Sequence, residues 1–193
     1  MSQNTTSQAT GRARATAARE QTGLDIKSLT LLAVLLAAGF ILNFTVGKAI
    51  SAVSAGAISP EFIISAFCLT ILIVRPTMPQ ALVIGLISAA VIQVTTTSPG
   101  IDFIAEGIAA VLMAAIVKAG MRTPAAPFVP AIGTFATTFI SGFIFMVIKM
   151  AMMGFATELA AVMMPVIAMT AVFNAILVAA LYLPVKKALG LND

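Results

Sequence analysis

Apolar residues run along this chain in long blocks, and short clusters of polar residues, glycine and proline interrupt them. The blocks predict six helices: about Leu29 to Val46, Glu61 to about Val74, about Gln80 to Val94, about Asp102 to Ala119, about Ala131 to Met150, and about Val162 to Val185. Residues 47–60 are rich in Gly, Ser and Ala and predict a loop of about a dozen residues, a length that often carries a role of its own. Ser59-Pro60-Glu61 has the form of a helix start, with a capping hydroxyl, proline at the first helical position and an acid in the first turn. Arg75-Pro76-Thr77 stops that helix, because the residue before proline is pushed out of the helical region. Lys118 to Pro130 forms a basic, proline-rich turn.

Composition turns these helices into membrane spans. Hydrophobic residues make up 60% of the chain and charged residues 9%, against about 25% charged in soluble domains; mean hydropathy is +1.08. A helix needs about 20 residues to cross a hydrocarbon layer about 30 Å thick, so with loops and a polar leader at most six or seven spans fit in 193 residues. The expected fold is an all-α integral membrane protein of one domain. Residues 1–27 form a polar leader, 28–187 a six-helix transmembrane domain and 188–193 a tail. The leader is rich in Ser, Thr, Gln, Ala and Arg without apolar periodicity, the composition of a disordered segment. It does not read as a signal peptide, since the apolar run after it exceeds the roughly 7 to 15 residues of such a core.

Six spans put both termini on one side, and charge indicates which. With the N-terminus inside, Arg12, Arg14, Arg19, Lys27, Arg75, Lys118, Arg122, Lys186 and Lys187 are cytoplasmic and only Lys48 and Lys149 are external. Nine against two is a strong positive-inside asymmetry. It places Glu61, Asp102, Glu106 and Glu158 at the outer face.

The strongest interruption, Gln93-Val-Thr-Thr-Thr-Ser-Pro-Gly-Ile-Asp102-Phe-Ile-Ala-Glu106, reads as one wall of an external solute site. Asp102 and Glu106 share a helix face, Asp102 suited to capping and Glu106 one turn deeper. Ionisable groups at membrane depth usually face a cavity, although an ion pair of Glu106 with Lys48 or Lys149 is the plainer alternative. Glu61 divides in the same way between cap and ligand. Thr138, Ser141, Phe145 and Lys149 recur at helical spacing and form a polar stripe that rises to the outer end. Asn43 and Gln93 carry amides too costly to face lipid; Asn174 suits a bond between helices. Ala33 and Ala37 put small residues on one face of the first helix, where another helix can approach closely, or reflect only how common alanine is.

The search for catalytic chemistry is negative. The chain contains no histidine, which removes imidazole acid–base work and histidine-based zinc sites. No phosphate-binding G-x-x-x-x-G-K-[ST] motif occurs. No nucleophile stands beside a base, so the chain is expected not to be an enzyme and to need neither metal nor cofactor. The single Cys68 has no intrachain partner and reads as packing. The net charge of +4 is scattered at helix ends, which argues against nucleic acid.

Several stretches resemble the bacterial tryptophan-transporter family. They are Ser59-Pro60-Glu61-Phe62 leading into an apolar helix, Pro79-Gln-Ala-Leu-Val-Ile-Gly85, the Gln93 to Gly100 stretch with an acid soon after, and Met164-Pro165, Asn174 and Tyr182-Leu-Pro184 near the end. The organisation is similar to that of substrate-binding S components of energy-coupling-factor (ECF) transporters, over roughly residues 27–187. That resemblance implies a bacterial inner-membrane subunit that takes up tryptophan or a related aromatic compound, or otherwise a vitamin. It implies docking through Ala33 and Ala37 to an ECF transmembrane coupling subunit, energy from two separate ATPase subunits, and a lid formed by Gly47 to Ile58. For an aromatic amino acid, Glu106 with Asp102 would hold the ammonium, Lys149 or Lys48 the carboxylate, and Phe44, Phe145 and Met146 the ring. Asn43, Glu61, Gln93, Thr97 and Ser141 complete the expected site. The alternative is a proton-coupled carrier in which Glu106 or Glu61 carries the proton.

Overall fold

A computed structural model of the chain describes residues 24–94, 96, 98–152, 154 and 157–191; most of the leader and Thr97 lie outside them. The described residues form helices and no strands. Helix α1 starts at Ile26, behind Asp25, whose Oδ1 accepts the Ser28 N–H at 2.9 Å. Hydrogen bonding from Ser28, first by its side chain and then by this N–H, favours the charged carboxylate and lowers the Asp25 pKa. The helix runs through Leu42, a π-helical stretch Asn43–Gly47 and a last segment Lys48–Val53. Then follow α2 (Phe62–Val74), α3 (Met78–Ile92), α4 (Ile101–Gly120), a 3₁₀ turn Ala126–Phe128, α5 (Val129–Met152) and α6 (Thr157–Ala188).

Several boundaries differ from the sequence reading; α6, for one, begins at Thr157, not near Val162. Residues 48–53 are helical, not loop, so the segment expected to form a lid is half helix and the connection shrinks to residues 54–61. Gly47 itself is buried against the start of α2, 3.5 Å from the Phe62 ring and 3.6 Å from the Pro60 carbonyl as measured from an added Cβ, whereas no residue of Lys48–Val53 is buried. Pro60 and Glu61 also stand outside α2: Phe62 is its first residue, and Glu61 occupies the N-cap position without a side-chain cap bond.

Helix α2 is the centre of the bundle. Every residue from Phe62 to Leu72 is buried, with Ile63, Phe67, Cys68, Ile71 and Leu72 at 0% exposure. A helix apolar on all sides has no outward face and must be surrounded. Helices α1, α4 and α6 make the main packing around it, and α3, α4, α5 and α6 pack each on the next. Cys68 is free and enclosed in this core. Arg75 ends α2 in the left-handed conformation, at φ 52°, ahead of Pro76.

Close approach is concentrated where side chains vanish. A Cβ on Gly85 of α3 would stand 2.5 Å from the Glu106 carbonyl and 2.7 Å from the Ala110 Cβ on α4. On α1 the intimate contact is Gly39, whose added Cβ would meet the Phe62 carbonyl at 2.9 Å. Ala33 and Ala37 lie on an uncovered face beside Val34 and Ile41, each 61% exposed.

Four helices, α1, α4, the α5 region Ala126–Met152 and α6, are long and apolar enough to cross a membrane. With 13 and 15 residues, α2 and α3 are apolar but span only about 20 and 22 Å at about 1.5 Å per residue. Helix direction separates the charges. Lys27, Arg75, Lys118, Arg122, Lys186 and Lys187 gather at one end; Glu61, Asp102, Glu106 and Glu158 gather at the other, with Lys48 and Lys149.

Gly85→Val should drive α3 from α4 and cost about 1–3 kcal/mol, the usual penalty of overpacking. Thermal unfolding in detergent would show it as a lowered melting temperature, whereas Val83→Ala, on the exposed side of the same helix, should leave the transition nearly unmoved.

Candidate functional site

A cavity of about 380 Å³ opens at the acidic end, between α1, α2, α4, α5 and α6. That volume lies within the range of small-ligand pockets. Its walls are built from the backbone outward.

The π-helical stretch of α1 presents Asn43 to the start of α2. Asn43 Oδ1 accepts the Phe62 N–H at 2.8 Å, and its Nδ2 reaches Glu61 Oε2 at 3.4 Å. One amide thus caps α2 and holds a lining carboxylate. The cap comes from nineteen residues upstream, not from the Ser59 hydroxyl that the local sequence offers. Ser59 instead exchanges two backbone bonds with Thr170 on α6, whose Oγ1 donates to the Ser59 carbonyl at 3.1 Å and accepts its N–H at 3.3 Å. Asn174, one turn on, donates to the Glu61 carbonyl at 3.3 Å and to Thr138 Oγ1 at 3.4 Å, fastening α6 to α2 and α5.

The opposite wall is the polar interruption. Gln93 caps α3; its Oε1 accepts the Gly100 N–H at 3.0 Å and its Nε2 donates to Asp102 Oδ2 at 3.1 Å. This fastens both ends of the turn, and Gly100 supplies the φ of +91° that starts α4. Asp102 is therefore not the N-cap. It is the second residue of α4, 6% exposed, and lines the cavity with Thr96.

Glu106 lies at the deepest charged point. It is 4% exposed, and its Oε1 accepts the Ser141 hydroxyl of α5 at 2.8 Å. Its Oε2 is buried and has no hydrogen-bond partner. A buried carboxylate oxygen without a partner is costly, so the site favours a group that supplies a hydrogen-bond donor or a proton there. Gly85 lets α3 press on the carbonyl of this same residue and fixes the height of its side chain.

The structure brings Asn43, Glu61, Asp102, Glu106, Ser141 and Phe145 to one cavity, together with Thr138 of the α5 stripe. It places other expected residues elsewhere. Gln93 stands behind the wall as a support. Met146 is buried but does not line the cavity. Phe44 is 42% exposed on α1, packed on Phe40, and Lys48 Nζ lies over its ring, 4.4 Å from the centroid. Lys149 Nζ lies 5.5 Å from the centroid of Phe145. Neither lysine pairs with Glu106, whose two oxygens are accounted for by Ser141 and by the unpartnered Oε2. Thr97 falls outside the described residues.

Sequence reasoning missed the α6 contribution: Met163, Val166, Ile167 and Thr170. Apolar residues there carry no signal that separates a cavity from lipid; only Thr170, spaced one turn before Asn174, offered one. Ile64 and Ile92 complete an apolar flank. At the far end of the bundle, Arg75, Lys118 and Arg122 surround a second cavity of about 280 Å³, so the two ends differ in charge as well as in shape. Comparison with protein-family models, curated proteins and solved structures finds no match.

Asn43→Ala should cost about 0.5–2 kcal/mol, the value of a lost helix cap. Asn43→Asp keeps an acceptor for the Phe62 N–H but sets a second carboxylate against Glu61; its melting temperature should fall at neutral pH and recover as the medium is acidified, a recovery that the alanine variant lacks.

Proposed function

We propose that this chain is a membrane-embedded solute-binding subunit of the S-component type, which captures a small nutrient at the acidic end of the bundle. The observation that carries this reading is the cavity of about 380 Å³ closed at depth by Glu106, with a buried carboxylate oxygen that lacks a partner. Ligand pockets combine apolar walls with a few convergent polar groups, and this one pairs Ile64, Ile92, Val166 and Phe145 with Glu61, Asp102, Glu106, Thr138 and Ser141.

In this reading all six helices cross the bilayer, with the short α2 sheltered by its neighbours. The basic end faces the cytoplasm by the positive-inside rule, together with both termini. The cavity then opens to the outside of a bacterial inner membrane. As the resemblance to S components implies, two ATPase subunits and an ECF transmembrane coupling subunit supply the energy. The uncovered Ala33 and Ala37 face of α1 is the docking side, because small residues let a partner helix approach closely. The remaining loop, residues 54–61, closes the mouth. Tryptophan or a related aromatic compound is the first substrate class, through an amino group on Glu106 and a ring on Phe145; a vitamin is the next.

A second reading is a proton-coupled carrier, favoured by the same unpartnered Glu106 oxygen, which a proton would satisfy. Purified protein in proteoliposomes separates the two. The S-component reading expects bound solute without accumulation; accumulation driven by an imposed proton gradient would overturn it. Glu106→Gln should weaken binding at least ten-fold while the protein keeps its elution profile and helical content.

A further inference from the structure

The charges around the cavity are all of one sign. Glu61, Asp102 and Glu106 line it, and none of its lining among the described residues is Lys or Arg. The cations nearest in sequence are engaged on aromatic rings, Lys48 on Phe44 and Lys149 on Phe145. Helix N-termini attract anions, but the two at this site are already served. Asn43 Oδ1 takes the first N–H of α2, and the Asp102 carboxylate stands in the first turn of α4. A ligand carboxylate entering here would meet three acidic groups on the walls and no cation among them; the nearest ammonium, Lys149, lies on the Phe145 ring instead of in the lining. Protonation of those groups would soften the repulsion but would supply no cation.

From this we infer that the solute is a cation, an organic amine or amidine without a carboxylate, and not a zwitterionic amino acid. The inference rests on the solute-binding reading above but replaces its first substrate: tryptophan itself gives way to a related amine that lacks the carboxylate. The cationic nitrogen would donate to Glu106 Oε2, a buried acceptor without a partner on a wall of the cavity, and to Glu61 or Asp102. The apolar remainder would lie against Phe145 and the aliphatic flank, where a ring face can also attract the cation. Exclusion of carboxylates is as much part of the selectivity as attraction of the amine, because specificity is a difference between affinities.

The test uses pairs of probes that differ by one carboxylate: tryptamine and tryptophan, histamine and histidine, agmatine and arginine. Binding to the purified full-length protein in nanodiscs would be measured by calorimetry, with indole-3-propionate as an anionic control. The expected result is that at least one amine binds ten-fold or more tightly than its amino acid, and that the anion does not bind. An amino acid that equals or exceeds its amine, or binding of the anion, would overturn the cationic class and leave the solute-binding reading standing. If no probe binds, and native mass spectrometry of the gently purified protein shows no retained small molecule, both fall together. Lys149→Met gives an independent arm: the preference for the amine should persist, whereas a lysine that held a substrate carboxylate would, when removed, cost the amino acid its binding. That second outcome would also overturn the inference.

Discussion

The interaction on which the site depends is the bond from the Ser141 hydroxyl to Glu106 at 2.8 Å inside an apolar bundle. A carboxyl in such surroundings is tolerated only with partners, and this one is given a single protein donor for two oxygens. Everything near it keeps that arrangement in place. Gly85 brings α3 onto the Glu106 backbone, α5 lays Thr138 and Ser141 along the adjoining wall, and Asn174 fastens α6 to Thr138. A bundle built for packing alone would have filled the place of Glu106 with a methyl-bearing residue at less cost.

Two amides do the same work on opposite sides of the cavity. Asn43 ties α1 to the start of α2 and touches Glu61; Gln93 ties α3 to the start of α4 and touches Asp102. In each case one side chain satisfies a backbone N–H where the chain re-enters a helix and steadies the carboxyl beside it. Unsatisfied backbone groups are most expensive where water is scarce, so helix re-entry and acid placement have been solved by one residue. The site is therefore part of the way the helices begin, not an addition to a finished fold.

The six helices were legible because apolar blocks broken by Pro, Gly and polar clusters leave little choice, and Glu106, Ser141 and Phe145 were legible because polar or aromatic residues at helical spacing stand out in an oily chain. What was not legible depends on contacts distant in sequence. The small polar residues after Gly47 look like loop, yet they continue α1 through Val53. Ser59-Pro60-Glu61 looks like a complete helix start, yet the cap arrives from Asn43. Lys149 falls on the right stripe, but a long flexible side chain is not fixed by its spacing, and its ammonium sits on a ring. The α6 wall is silent because Met, Val and Ile read the same whether they face lipid or solute.

The same geometry orders the possible ligands. An amino acid needs two opposite charges set a few ångströms apart, and the sequence invited that picture by offering two lysines and three carboxylates near the outer end. The fold assigns them unequally. All three carboxyls line the cavity, while both ammonium groups are drawn onto phenylalanine rings. Cation–π contacts are worth roughly 0.5–1 kcal/mol when exposed, too little to hold a lysine away from a buried carboxylate it could reach. That neither lysine pairs with Glu106 argues that backbone position, not ring attraction, keeps them out. A cavity that leaves one oxygen of its deepest acid without a partner while cations stand nearby is the ground on which a cationic solute is proposed.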